Sequence, residues 1–201
     1  MRYRPLTPEG LVRECADTIA ARRGRVVVAV DGADAADPVA LAQEVAHLLR
    51  STGRAADVVD TRHWLRPASL RMEWGRTDEH SYRTAWFDHP ALRREVVDAL
   101  RERGTWLPRL WDPDRDRSFR DTPRDAGADQ VVLIAGALLV GSELDVDVTV
   151  ALRMSEGALR RRTPDTEQWT ITPLLEHAAG SDPADLEVRY EHPERPALRQ
   201  D

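Results

Sequence analysis

The chain has 201 residues, of which 41% are hydrophobic and 32% are charged, a composition typical of a globular protein and not of a disordered one. Its net charge of −6 argues against nonspecific binding to nucleic acid, which depends on a basic surface. No apolar run approaches the ~18 residues of a membrane span, and the N-terminus does not resemble a signal peptide, so we expect a cytoplasmic protein without a membrane partner.

The hydrophobic pattern predicts strands that alternate with helices along the chain. The strands are expected at 26–30, 54–60, 130–135, 147–152 and 186–190. The helices are expected at about 7–23 and 37–50, from 90 to beyond 100, and at 155–162 and 167–179. This alternation is typical of a three-layer α/β/α sandwich with a mainly parallel sheet of about five strands, which we expect residues 1–201 to form as a single domain.

Three stretches do not follow this alternation. The segment at about 61–89 is too long for an ordinary connection and carries three of the six tryptophans. Segments of this kind usually bear binding loops or lids, so we expect a substrate-side or lid insertion here. The charged stretch at 112–128 predicts a surface loop, and the tail after residue 190 is expected to be irregular.

The loop after the first strand carries the most informative pattern. In the sequence that follows Val26–Val30, Asp37 is a typical helix N-cap and Pro38 a typical first helical residue. The stretch resembles the phosphate-binding loop of P-loop kinases, specifically of the uridine kinase and nucleoside kinase family, which reads GxxxxGK[ST]. The candidate nucleotide-binding loop is Asp31, Gly32, Ala33, Asp34, Ala35, Ala36, Asp37, Pro38 and Val39.

This loop departs from the family pattern at three of its four signature positions. Gly32 matches the first glycine, whereas Asp37, Pro38 and Val39 stand where the second glycine, the lysine and the Mg²⁺-binding hydroxyl belong. Proline lacks the backbone N–H as well as the ammonium, and valine offers Mg²⁺ no oxygen. The chain has no lysine elsewhere, because all 29 of its Lys and Arg residues are arginines.

Two acidic side chains add to these losses. Asp34 and Asp37 place negative charge where phosphate would sit, and two unit charges ~4 Å apart repel by roughly 4 kcal/mol at an effective dielectric near 20. Asp37 can instead offer its carboxylate to the N–H groups at the start of its own helix. The pattern therefore predicts a self-capped turn in place of a phosphate cradle.

Other segments resemble the same family in the same order, and they suggest ligand-binding residues. Residues 86–90 resemble its FDHP segment, in which the histidine lies in the nucleoside pocket, and residues 107–112 resemble its P-x-YD segment. Residues 132–138 resemble the strand that ends in EG, and residues 160–162 resemble the start of the arginine-rich lid. The resemblance implies substrate-binding candidates at Arg66, Tyr82, Asp88, His89 and Arg109, and candidates for a phosphate clamp at Arg160, Arg161 and Arg162.

The catalytic positions of the family are also changed. Aligned through Arg66, the aspartate that takes the proton from the substrate hydroxyl becomes His63, and Asp60 lies three residues earlier. The acidic residue before the glycine of the EG strand becomes Ala135. Asp60 and His63 are therefore the candidate catalytic bases, and no metal site is predicted.

Each candidate also has a structural alternative. Asp60 can cap a turn at the end of its strand, and His63 can pack beside a tryptophan. His89 can be a packing histidine before a proline, and Tyr82 can pack against Trp86 at helical spacing. The arginines at 160–162 can form a solvated helix face.

Three functions remain open. The first is a uridine kinase-like protein with a degenerate ATP site that still binds a nucleoside or nucleotide. The second is an active nucleoside kinase, which would need ATP and Mg²⁺ and would use an arginine, such as Arg161, in place of the lysine. The third is a non-catalytic scaffold or partner-binding protein, for which we would expect a homo-oligomer or an apolar surface patch.

Overall fold

The computed structural model describes residues 2–200. Its strands are β1 (Arg2–Pro5), β2 (Val26–Gly32), β3 (Ala56–Asp60), β4 (Thr105–Trp106), β5 (Trp111–Asp112), β6 (Arg117–Ser118), β7 (Arg124–Asp125), β8 (Val131–Gly136), β9 (Val148–Arg153), β10 (Leu186–Arg189) and β11 (Ala197–Gln200). Its helices are α1 (Pro8–Ala20), α2 (Pro38–Ser51), α3 (Ala68–Arg71), α4 (Glu79–Ala85), α5 (His89–Leu92), α6 (Glu156–Arg162) and α7 (Ile171–Gly180). The helix α5 continues as a π-helix over Arg93–Arg103.

The main sheet has the order β1-β11-β10-β9-β2-β8-β3. Its five strands from β10 to β3 are parallel, and β1 and β11 are antiparallel additions at one edge. The predicted mainly parallel α/β architecture is therefore confirmed. Because β2 lies between β8 and β9, Asp31 near its carboxyl end faces Gly136 on one side and Ala151 on the other.

Alternate residues of β2 contribute to cores on the two faces of the sheet. Val26, Val28 and Val30 belong to a core with α1 and α2, whereas Val27 and Ala29 belong to a second core with the π-helix. A strand that is buried on both faces has a continuous run of apolar residues in its sequence. The valine-rich sequence therefore predicts this strand correctly. The helices thus cover both faces of the sheet and leave the carboxyl ends of its strands as the place for a site.

Several boundaries differ from the predictions. The sequence predicts an irregular tail, but residues 197–200 form β11, which pairs with β1 and β10. The last helix is predicted from residue 167, but it begins at Ile171 after a 3₁₀ turn, so Pro173 lies in its first turn. The segment at 61–89 contains α3 and α4, and the loop at 112–128 contains short strands. No helix within residues 2–200 is both long and apolar enough to cross a membrane.

Candidate functional site

The loop between β2 and α2 is closed by its own side chains. Residues 34–36 form a single 3₁₀ turn, and Asp37 adopts a left-handed conformation with φ 51°. The Oδ1 atom of Asp37 accepts the backbone N–H of Ala40 at 3.1 Å, and Pro38 is the first helical residue. The predicted cap is therefore confirmed. A carboxylate occupies the end of α2 where the free N–H groups of a helix would otherwise bind an anion.

The aspartate before this loop is anchored to the protein interior. Asp31 is buried, its Oδ1 accepts the N–H of Leu139 at 3.0 Å, and its Oδ2 lies 3.6 Å from Nη1 of Arg153. Burial raises the pKa of Asp31, and the N–H of Leu139 and the charge of Arg153 oppose that rise. The positive charge of Arg153 is thus paired with the carboxylate of Asp31. Arg153 is therefore a poor substitute for a phosphate-binding lysine.

Several charged side chains act on Asp34 in the loop. Burial raises the pKa of Asp34, the charge of Arg62 lowers it, and the charges of Glu167, Asp60 and Asp37 raise it further. Three other carboxylates and one arginine therefore act on Asp34, and this excess of negative charge opposes the approach of a polyanion such as ATP to that part of the loop.

A cavity of about 500 Å³ opens where β3 ends, and we call it the β3 cavity. It brings together Asp60, His63 and Arg109, three of the residues that the sequence singles out. Its lining is Asp60, Arg62, His63, Arg109, Asp112, Pro113, Asp114, Arg115 and Phe119. The Oδ1 atom of Asp60 accepts the backbone N–H of Arg62 at 2.8 Å, so this carboxylate also caps the following 3₁₀ turn.

His89 lies in a different cavity, of about 430 Å³, which we call the histidine cavity. Its ring stacks on Phe87 with the centroids 5.9 Å apart, and His177 of α7 lines the same cavity. The Nε2 atoms of both histidines are buried without a hydrogen-bond partner. Asp88, the neighbouring candidate, accepts the N–H of Ala91 at 3.1 Å and caps α5. Sequence reasoning missed His177, since a lone histidine in a predicted helix gives no signal.

The environment of His89 predicts a pH-dependent stability. Burial, together with the charges of His177 and Arg66, lowers the pKa of His89 from 6.5 to about 4, and the charge of Asp88 opposes this shift. Between these pH values the unfolded chain binds a proton at His89 and the folded chain does not. The free energy of unfolding should therefore fall by up to about 3 kcal/mol as the pH decreases through this window.

Urea unfolding of the wild type and of His89→Gln, on both sides of the window, measures this effect. In the variant, the difference in the free energy of unfolding between the two pH values should be much smaller than in the wild type. His80→Gln, at an exposed histidine, is the matched control and should behave like the wild type. An unchanged pH dependence in His89→Gln would show that His89 is protonated equally easily in both states.

The remaining candidates lie outside both cavities. Tyr82 is buried in an aromatic cluster with Trp86, Phe87 and Trp169, with ring centroids 5.2, 6.1 and 5.3 Å from its own. This cluster, together with the ion pair of Arg83 and Glu176 at 2.6 Å, joins α4 to α7 and to the turn before α7. These contacts favour the packing role for Tyr82.

The arginine candidates differ in their surroundings. The backbone of Arg66 donates to Trp86 and accepts from Arg71, but its side chain lines neither cavity. Arg160 pairs with Glu156 one turn earlier on α6, as expected for a solvated helix face. Arg161 and Arg162 are exposed. Burial raises the pKa of Tyr190, and the charge of Arg162 lowers it.

No family model and no curated protein sequence matches the chain. Solved structures do match the chain. A structure described as a possible uridine kinase from Bacillus stearothermophilus superposes with a TM-score of 0.71 at 18% identity, over 88% of this chain and 96% of that one. A structure described as a proposed fructose transport system kinase from Silicibacter sp. TM1040 gives a TM-score of 0.70 at 19% identity, over 90% of this chain and 98% of that one. The YGR205w protein gives 0.54 at 8% identity, over 87% and 85%. The chain therefore shares the α/β fold of these structures, with its mainly parallel sheet and flanking helices.

Proposed function

We propose that this chain is a uridine kinase-like protein that binds a nucleoside or nucleotide in the β3 cavity and does not transfer a phosphoryl group from ATP. The observation that carries the proposal is the hydrogen bond from Ala40 N–H to the Asp37 carboxylate at the start of α2. In a P-loop, that N-terminus faces the phosphates of the nucleotide. Here a side chain of the same charge already occupies it.

Charge and metal chemistry support the same conclusion. Phosphoryl transfer depends almost wholly on positioning and on neutralising negative charge. The loop has no lysine, and the negative charges of Asp60 and Glu167 act on Asp34 within it. Val39 cannot supply the hydroxyl that Mg²⁺ would need, and within residues 2–200 no three acidic, histidine or cysteine side chains converge as metal ligands. The residues present do not fit ATP with its Mg²⁺.

The β3 cavity supports a retained binding role. Its volume of about 500 Å³ is that of a small-molecule site, and it lies at the carboxyl end of a parallel strand, where such folds bind ligands. Asp60 and His63 can accept or donate hydrogen bonds to a hydroxylated ligand. A ligand could therefore be held here even when the neighbouring loop is closed to phosphate.

Calorimetric titration tests the proposal. ATP with MgCl₂ should give no binding heat up to millimolar concentration, whereas uridine or UMP should bind. His63→Ala should weaken that binding by about tenfold, and Arg76→Ala, at an exposed site outside both cavities, should leave it unchanged. Micromolar affinity for ATP would contradict the proposal.

An active nucleoside kinase is the second candidate, and one observation favours it. The charge of Arg62 lowers the pKa of Asp34, so an arginine acts on a carboxylate of the loop that has no lysine. This hypothesis predicts ATP-dependent phosphorylation of a nucleoside. Asp60→Asn should then abolish turnover and leave the far-ultraviolet circular dichroism spectrum unchanged.

A further inference from the structure

The β3 cavity is polar on nearly every side. Apart from Pro113 and Phe119, its lining consists of charged side chains and one histidine. Small-molecule sites are usually lined mainly by apolar and aromatic groups, with few polar ones. A lining of this kind suits a ligand that carries hydrogen-bonding groups all round and offers little apolar surface.

The one aromatic ring of the cavity is already in contact with other side chains. The guanidinium carbon of Arg109 lies 4.2 Å from the centroid of Phe119, and the ring of His63 meets it edge-on with the centroids 5.1 Å apart. Two hydrogen bonds to Asp121, at 2.9 and 3.1 Å, hold Arg109 in this position. A nucleobase could stack on that face of Phe119 only by displacing an anchored cation.

The charges of the cavity balance. Three arginines (Arg62, Arg109 and Arg115) face three aspartates (Asp60, Asp112 and Asp114), so the lining has no formal net charge while His63 is neutral. Nothing in this balance favours an anion over a neutral molecule. Carboxylates accept hydrogen bonds and guanidinium groups donate them, and a hydroxyl can do both. Adjacent hydroxyls on a sugar ring therefore match alternating acidic and basic side chains.

Two of these groups are available to a ligand. Within residues 2–200, the side chains of Arg62 and Asp114 have no hydrogen-bond or ion-pair partner, and both are exposed to solvent at the cavity. By contrast, Arg109 is paired with Asp121, and the Oδ1 atom of Asp112 accepts the N–H groups of Asp114 and Arg115. The cavity thus presents the guanidinium group of Arg62 as a free donor and the carboxylate of Asp114 as a free acceptor. Asp60 adds its Oδ2 atom, which has no partner within residues 2–200, since only its Oδ1 accepts the N–H of Arg62.

We infer that the β3 cavity recognises the hydroxyl groups of a neutral sugar, either a free sugar or the ribose of a nucleoside, and that a nucleobase contributes little to binding. This inference rests on the proposed function, because it names the part of the ligand that the same cavity binds. Asp114 and Asp60 accept from the hydroxyls, and Arg62 donates to them.

Titration with methyl β-ribofuranoside, uridine and uracil separates the two parts of a nucleoside. The riboside should bind within about threefold of uridine, and uracil should not bind. Asp114→Asn should weaken the binding of riboside and uridine by the same factor, about fivefold or more. Asp182→Asn, at an exposed aspartate outside both cavities, is the matched control and should change neither affinity.

The outcomes distinguish this inference from the proposed function. Uridine binding that is more than about tenfold tighter than riboside binding, or measurable binding of uracil, would overturn the inference and leave the binding function standing. Binding of neither riboside nor uridine would overturn both. Loss of uridine binding alone in Asp114→Asn would also overturn the inference, since it would place the base, and not the sugar, against Asp114.

Discussion

Replacing Asp37, Pro38 and Val39 together by Gly, Lys and Thr is expected to create ATP binding and to raise the affinity at least about 100-fold over the wild type. The change removes the carboxylate from the start of α2, restores a backbone N–H and an ammonium group, and adds a hydroxyl for Mg²⁺. The backbone at position 37 can accommodate the glycine of this variant. Asp37 has φ 51°, a left-handed conformation that glycine adopts without steric cost.

Calorimetry with ATP and MgCl₂ measures this gain, and circular dichroism establishes that α2 is intact. Asp37→Gly alone is the control: it removes the cap and the repulsion but restores neither the ammonium nor the hydroxyl, so its gain should be much smaller. A folded triple variant that still does not bind ATP would show that the self-capped loop is not the barrier. The negative charges of Asp34, Asp60 and Glu167 would then be the next candidates for what prevents ATP from binding.

Gly136→Ala should lower the free energy of unfolding by about 3 kcal/mol or more. Gly136 ends β8 with φ 154°, a conformation that side chains with a Cβ rarely adopt. An added Cβ would overlap Oγ1 of Thr61 and would lie 2.9 Å from its Cβ. Thr61 is only 1% exposed, so it has no free space into which to move. The strain would fall on the first turn after β3, next to Asp60.

Urea unfolding of the wild type, Gly136→Ala and Gly127→Ala tests this prediction. A Cβ at Gly127 would have no atom within 4 Å, and Gly127 does not have a left-handed backbone, so its variant should differ from the wild type by no more than about 0.5 kcal/mol. Equal stability of the two variants would mean that the approach of β8 to Thr61 is not tight in solution.

The features predicted correctly from the sequence are those with a local physical cause. The run Val26–Val30 predicts a strand buried on both faces, and Asp37 before Pro38 predicts a capped helix, because each pattern acts within a few residues. The strand β11 was missed because it is short and depends on pairing with β10 and with β1, which lies almost a full chain length away. Edge pairing of this kind leaves no periodic signal.

The candidate site was predictable only in part, for a related reason. Asp60 and His63 follow a strand and could be located from its end. That Arg109 joins them, whereas His89 does not, depends on where the segment at 105–125 folds back. The role of Phe119 and the partnership of His89 with His177 depend on contacts between distant elements, which sequence spacing does not encode.

The aromatic cluster of Tyr82, Trp86, Phe87 and Trp169 has a mechanical consequence. It joins α4 to the region that begins α7, and an ion pair between Arg83 and Glu176 reinforces the junction. Each aromatic contact adds about 0.5–1.5 kcal/mol beyond area burial, so separating the two segments would cost several such increments at once. The cluster and the ion pair therefore hold α4 and the start of α7 as one mechanical unit, so a displacement of either segment relative to the rest of the chain should carry the other with it.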